Sequence, residues 1–295
     1  MRTCYTGICL LYAFTVCAQE DLLNELEDTT AAVDYTFATF KGQRLVNGQT
    51  VETVPAGDLQ FIFSHRFGRL NSGIYEFFGL DDAYVRIGLE YGITDRLGVG
   101  IGRNSVDKTL DTYLRYKVLR QKSGDGTVPV TITAFGGAAA KLSPRNSDLP
   151  ASLPLTERLA YFGQLLIARK FSPAVSLQLM PTFVHKNTVD QSFEVNSNAL
   201  IGIGGRVKLT KSMAITAEYY HRLNDHSDSP FYNPLGFGID IETGGHVFQL
   251  VFTNSRGLTE RAFLTETLGD FFDGNIHFGF NVTRMFSFRR SGKEW

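Results

Sequence analysis

Cysteine is nearly missing from this sequence. The chain has 295 residues and three cysteines, Cys4, Cys9 and Cys17, all near its start. Beyond Cys17, disulfides, thiolate nucleophiles and thiolate metal sites are excluded. Charge of one sign is lacking too: 29 Lys and Arg stand against 30 Asp and Glu. That balance supplies neither the basic surface of a nucleic-acid binder nor an acidic tail. Proline is scarce at 9 residues, and no segment past the first eighteen positions approaches the run of about 18 apolar residues that a membrane-crossing helix needs. What is abundant is glycine, at 29, and aromatics, with 24 Phe and 12 Tyr. Many glycines and aromatics with few prolines suit strands joined by tight turns, and the modest charge excludes a disordered chain.

Residues 1–18 read as a secretory signal peptide. Arg2 precedes an apolar stretch from Ile8 to Cys17, and Val16 and Ala18 sit at the small-residue positions before a cut at Gln19. The stretch is too short for a transmembrane anchor. A lipoprotein cut at Cys17 is the weaker alternative, because Phe14-Thr15-Val16 approaches a lipidated cysteine poorly.

From there the dominant period is two. Ala83, Val85, Ile87, Leu89, Tyr91 and Ile93 share one face, while Tyr84, Arg86, Gly88, Glu90, Gly92 and Thr94 share the other. The alternation returns in about twelve segments: 58–67, 82–93, 97–103, 109–119, 127–138, 158–170, 174–185, 197–209, 212–222, 235–242, 246–253 and 275–288. The polar faces carry Arg66, Arg86, Glu90, Arg115, Lys117, Arg206, Glu218, Asp240 and Glu242. These nine are the candidate lumen-lining residues of a closed barrel whose apolar faces meet lipid.

The connections carry an independent signal, because short and long ones alternate. Thr94-Asp95-Arg96, Phe171-Ser172-Pro173 and Thr243-Gly244-Gly245 are short, whereas 139–157, 223–234 and 254–274 are long. Outer-membrane barrels have this asymmetry, with short periplasmic turns and long external loops. A secreted β-sandwich or lipocalin-like barrel would also alternate, but it has no reason to sort its loops by length or to charge its inner face. The expectation is an all-β chain: a single closed antiparallel transmembrane β-barrel of about twelve strands. Its partners would be outer-membrane lipid, the barrel-assembly machinery during insertion, and small polar solutes; nucleic acid is not among them.

Three stretches carry a family resemblance: VETVPAGDLQFIFSHRFG (51–68), FFGLDDAYVRIGLEYGITDRLGVGIGR (77–103) and GLTERAFLTETLGDFFDGNIHFGFNVTRMF (257–286). They resemble a Bacteroidota family of outer-membrane β-barrels known only as a domain of unknown function. The resemblance implies an outer-membrane location and a barrel near twelve strands. It implies no substrate and no catalytic residue. Phe286 and Phe288 look like the aromatic finish that the assembly machinery reads, although 289–295 follow it.

The chain therefore divides into a signal peptide at 1–18, an N-terminal periplasmic segment or plug at 19–57, the barrel at 58–288 and a tail at 289–295. Within the N-terminal segment, Asp21 to Asp28 suits a short helix, and Val33 to Val54 is polar and mildly β-prone, fitting either a plug in the barrel mouth or a linker. Leu258 to Leu268 is the best helix past the signal peptide, with Leu258, Ala262, Phe263 and Leu268 on one side; it either folds inward or lies over the rim. Gly98, Gly100 and Gly102 lie at alternate lumen-facing positions, where they leave room for a bulky neighbour and make no dinucleotide fingerprint. Of six histidines none has metal-ligand spacing, and the cluster His221, Asp225, His226 and Asp228 reads as a solvated loop. No catalytic residue, metal or cofactor is expected. The function expected is a channel for small polar solutes or ions, weakly selective because both charge signs line it. The alternatives are a sealed structural or binding barrel that uses its external loops and, less favoured, an outer-membrane hydrolase.

Overall fold

The computed structural model describes residues 33–142 and 153–288. Residues 1–18, read as a signal peptide, the acidic stretch Asp21 to Asp28 and the tail at 289–295 lie outside the described residues. Twelve strands form one closed barrel. They are β1 (Asp58–Arg69), β2 (Ala83–Gly92), β3 (Leu97–Asn104), β4 (Leu110–Leu119), β5 (Thr131–Ala140), β6 (Leu159–Lys170), β7 (Val175–Lys186), β8 (Ser197–Lys208), β9 (Met213–Arg222), β10 (Leu235–Thr243), β11 (His246–Thr253) and β12 (His277–Ser287). Each pairs antiparallel with its neighbours in sequence. The last pairs with the first, with Phe286 opposite Leu59 and Asn281 opposite Ser64. Closure leaves no edge strand, so every ladder is paired on both sides, as a sheet crossing hydrocarbon requires.

The two faces differ sharply. In β2, Ile87 and Leu89 are 48% and 40% exposed while Arg86 and Glu90 are fully buried. In β4, Leu114 and Tyr116 are exposed while Asp111, Tyr113 and Arg115 are buried. A chain that hides its arginines and displays its leucines is turned outside in for water and right way round for lipid. Inside, polar side chains surround one apolar cluster that includes Leu45, Phe135, Phe162, Met180, Tyr220 and Phe263.

Connections 93–96, 171–174, 209–212 and 244–245 gather at one end, here called the short-turn end. The loops 70–82, 187–196, 223–234 and 254–276, with residues 141–142 and 153–158, gather at the other, the long-loop end. Two details depart from the sequence reading. β5 begins at Thr131 rather than near 127, because Val128 is drawn into a bridge with Lys122 and Pro129 has no N–H to give the ladder. The helix expected over Leu258 to Leu268 is confined to α1 (Glu260–Thr265). The hydroxyls of Thr265 and Thr267 donate to the carbonyls of Arg261 and Phe263, at 2.7 and 2.8 Å, and so compete for the acceptors a longer helix would use. Leu264 is buried in place of Leu268, which is 44% exposed.

The inward glycines of β3 are spaces for named side chains. A Cβ on Gly100 would overlap the Tyr113 ring, and one on Gly102 would overlap the Arg86 guanidinium. Gly163 on the outward face of β6 has nothing within 4 Å of its Cβ position. We expect Gly100→Val to destabilise the barrel by about 1–3 kcal/mol through overpacking, lowering the urea midpoint of the folded, heat-modifiable band. Gly163→Ala should leave it within about 0.5 kcal/mol.

Candidate functional site

The barrel interior is occupied by the chain's own N-terminal segment. Asp34–Tyr35 pairs with Lys122–Ser123 at the short-turn end. The chain then turns into the barrel, reverses at Val46-Asn47-Gly48, and returns to the same end, where the Thr53 hydroxyl donates to the carbonyl of Asp95 at 2.9 Å. The hairpin is closed by Leu45 N–H to the Gly48 carbonyl and Thr50 N–H to the Gln43 carbonyl, both 2.9 Å. Phe40 and the stretch from Leu45 to Val51 are buried. The Asn-Gly pair was an available turn signal, but the sequence reading of Val33 to Val54 stopped at a polar, mildly β-prone stretch.

These two backbone bonds and a few side-chain ones within the hairpin, such as the Thr50 hydroxyl to the Gly42 carbonyl at 2.6 Å, leave many of its peptide groups for the barrel wall to satisfy. The Glu218 carboxylate on β9 accepts the N–H groups of Val46, Asn47 and Gly48 at 3.1, 2.7 and 2.9 Å. Three successive amides converging on one anion form a nest, here filled by a wall carboxylate. Arg66 on β1 donates to the Val46 carbonyl and to Asn47 Oδ1 at 3.2 and 3.0 Å. Gln178 on β7 accepts from Val51 N–H at 3.0 Å and donates to the Gln49 carbonyl at 2.7 Å. Gln249 and Asn281 donate to the carbonyls of Leu45 and Val46. Arg115 donates to the Thr50 carbonyl and to Gln49 Oε1, both at 2.6 Å. Wall glycines make room for Leu45 at Gly204 and for Val46 at Gly236, and the hairpin's own Gly48 makes room for Tyr220.

Two pairs of charges around this hairpin are matched. Arg86 makes a two-pronged pair with Asp111, and Arg115 Nε meets Glu90 at 3.0 Å, with all four side chains buried. Tyr113 also donates to Glu90, at 3.1 Å. Of the nine sequence candidates, Arg66, Arg86, Glu90, Arg115, Arg206, Glu218 and Asp240 are buried. Arg66, Arg115 and Glu218 touch the hairpin directly. Lys117 and Glu242 stand nearer the short-turn rim: Lys117 lies 3.7 Å from Glu52, and Glu242, exposed, pairs with Lys41. The candidate list omitted Asp111, Gln178, Gln249 and Asn281. All four lie on inward faces, and the three uncharged or amide-bearing roles could only be read once the hairpin was in place.

A second element arrives from the long-loop end. The loop 254–276 folds inward with α1, where Phe263 packs edge-on to Tyr220 at 5.5 Å. Glu260 accepts from Gln49 Nε2 at 2.5 Å and lies 3.8 Å from Arg44, so loop and hairpin meet inside the barrel. Farther out, Glu266 lies 2.7 Å from Arg261 and 3.7 Å from Lys141. Burial raises the Glu266 pKa, but Arg261, Lys141 and Lys186 together hold it below the ordinary carboxylate range. Two cavities of about 480 and 440 Å³ open at this end and share Arg256. Another of about 440 Å³ lies beside the hairpin's entry at the short-turn end. In the cluster His221, Asp225, His226 and Asp228, Asp225 pairs with Arg222 at 2.9 Å and His226 Nδ1 lies 3.9 Å from Asp228; among the described residues no group of three or more His, Cys, Asp or Glu is arranged to hold a metal.

The chain belongs to the family described as membrane bound beta barrel domain (DUF5777), whose model matches residues 40–286. The match takes in the hairpin as well as all twelve strands. No curated protein matches the chain. Among solved structures, the NanC porin is similar at 9% identity and a TM-score of 0.47, covering 77% of this chain and 98% of the porin. The KdgM porin is similar at 8% identity and a TM-score of 0.44, covering 78% of this chain and 99% of its own. An outer membrane channel from Pseudomonas putida F1 is similar at 13% identity and a TM-score of 0.44, covering 80% and 98%.

Two measurements test the site. Glu218→Gln removes the charge that three amides converge on, at a cost of about 1.5–3 kcal/mol for bonds to a charged group. A thiol placed by Val46→Cys should then react with a soluble maleimide at least about tenfold faster than in the Glu218 background; an equal rate would remove Glu218 as the hairpin's anchor. The depressed Glu266 pKa sets a sign. Its anchoring contribution is fully present above the ordinary carboxylate pKa and is lost as pH falls through the lower, folded value. A spin label at Phe272→Cys should therefore stay at constant mobility down through the ordinary carboxylate range and loosen only below it. Glu266→Gln should abolish that step.

Proposed function

We propose that this membrane barrel is a gated outer-membrane channel for small polar solutes, and that the arrangement described is its closed state. The carrying observation is the hairpin. It fills a bore too wide for wall side chains alone, and polar wall groups hold it while both its legs remain at one end. Its contacts with Glu218, Arg66, Arg115 and Gln178 are ones that water or a passing solute also offers those groups. The N-terminal segment is thus a plug on the periplasmic side, and the long loops face outward. Export by the signal peptide, insertion by the assembly machinery and a Bacteroidota outer membrane complete the reading.

With the plug displaced, Arg66, Arg86, Arg115 and Arg206 would face Glu90, Asp111, Glu218 and Asp240. A lumen so balanced filters by size more than by charge, which favours weak ion selectivity. One observation favours a second reading, that of a permanently sealed barrel. Glu218 and Arg115 are buried against the hairpin's own amides and carbonyls, and taking the bonded partner from a buried charge costs several kcal/mol.

Conductance separates the two. A Cβ built at Gly236 lies 2.7 Å from Val46 Cγ1, which puts the two Cβ positions near the roughly 3.5–4.5 Å that a disulfide spans. The chain has no cysteine after Cys17, so Val46→Cys with Gly236→Cys supplies a single lock. In planar bilayers we expect the native chain to show intermittent stepwise openings and the oxidised double variant to show none, with openings restored by reductant. Deletion of 39–54 should give steady conductance. A folded deletion variant that does not conduct would establish the sealed barrel instead.

A further inference from the structure

We infer that the larger long-loop cavity is a binding site for a neutral, polyhydroxylated solute of mono- or disaccharide size. This deepens the channel reading by naming its solute class. The cavity measures about 480 Å³, within the range of about 300–1,000 Å³ that small-molecule sites occupy. It is built where the end of β1 and the loop 70–82 face the loop 254–276.

The lining decides the ligand chemistry. Leu268 is its one aliphatic side chain among the described residues, which disfavours an apolar ligand. Arg69 and Arg256 stand against Glu76 and Asp82. None of these four forms an ion pair among the described residues. Two charges of each sign in one small space leave little net field to concentrate an anion or a cation. They do leave strong donors and strong acceptors side by side.

The amides sharpen this. Asn275 Oδ1 takes the Nδ2 of Asn71 at 3.2 Å and Arg69 Nη1 at 3.4 Å. That orientation commits the Asn275 oxygen and the Asn71 nitrogen. It leaves the Asn275 Nδ2 donor and the Asn71 Oδ1 acceptor available on adjacent side chains. A hydroxyl both donates and accepts, so neighbouring hydroxyls on a ring match such a pair. The Arg256 guanidinium lies 5.5 Å above the Tyr84 ring and adds its donors to the same lining. His277, also in the lining, already has its Nδ1 committed to the Phe67 carbonyl at 2.9 Å.

Saturation-transfer NMR on the full chain in detergent tests the site with glucose, galactose, maltose, lactose, glucuronate, glucosamine and glutamine as probes. At least one neutral sugar should bind saturably at millimolar concentration, and the charged and zwitterionic probes more weakly. Asn71→Ala and Asn275→Asp should each weaken that binding at least about fivefold, whereas Thr188→Ala in the other long-loop cavity should not. The inference is overturned if no neutral sugar binds, if either Asn variant binds as well as the native chain, or if glucuronate, glucosamine or glutamine binds more tightly. Should both Asn variants fail to fold, competition between two neutral sugars for the native site decides: independent, non-competing signals overturn it. Binding in detergent needs no conduction, so a failure here and a failure of the channel reading are separable.

Discussion

Peptide groups inside a barrel must find partners, because little water reaches them there. A hairpin with only two closing backbone bonds depends on the wall for many of its remaining peptide groups. That demand explains why the inward faces carry Glu218, Gln178, Gln249 and Asn281 at the positions where N–H and C=O groups arrive. It also explains why the wall is thinned to glycine at 204, 236 and 238, where Leu45 and Val46 approach. Because the inner face is spent on polar partners, the chain's apolar surface lies outside, and the exterior suits hydrocarbon.

The two ends of the barrel are not independent. The hairpin enters from the short-turn end and α1 from the long-loop end, and Gln49 and Arg44 meet Glu260 between them. The loop that carries Glu260 also carries Arg256 and Asn275, which line the outer cavity. A shift of that loop changes the surroundings of the hairpin and of the cavity together. The shared element is a packed segment rather than a remote signal, which is the kind of physical linkage that coupling between sites requires.

The strands were legible because two-residue periodicity survives without knowledge of partners: each of the twelve segments has a strand at its centre. The polar faces were legible for the same reason, and Gly100 announced a bulky neighbour that turned out to be Tyr113. The hairpin's role was harder to read. Its partners lie on β1, β4, β5, β7, β9, β10, β11 and β12, and no local pattern in Val33 to Val54 points to residues so far along the chain. Glu218 shows the limit well. Its place on a polar face followed from alternation, but three amides converging on it could not. The end of α1 was missed for a smaller reason, since Thr265 and Thr267 look tolerable in a helix until their hydroxyls are seen to take its carbonyls.

Both legs of the hairpin leave the barrel at the same end, one towards Tyr35 and the other towards β1. It is inserted and not threaded, so its departure breaks no strand ladder and opens no seam. A hairpin that withdraws remains tied to β1 by a few residues. Short tethers of that kind hold a group near its site at about millimolar effective concentration. Reclosure is then a unimolecular event, indifferent to how much of the protein the membrane holds. On the gated reading, the balance between occupied and empty states would be set within each molecule, by the strength of the wall contacts against the reach of two short linkers, one to Tyr35 and one to β1.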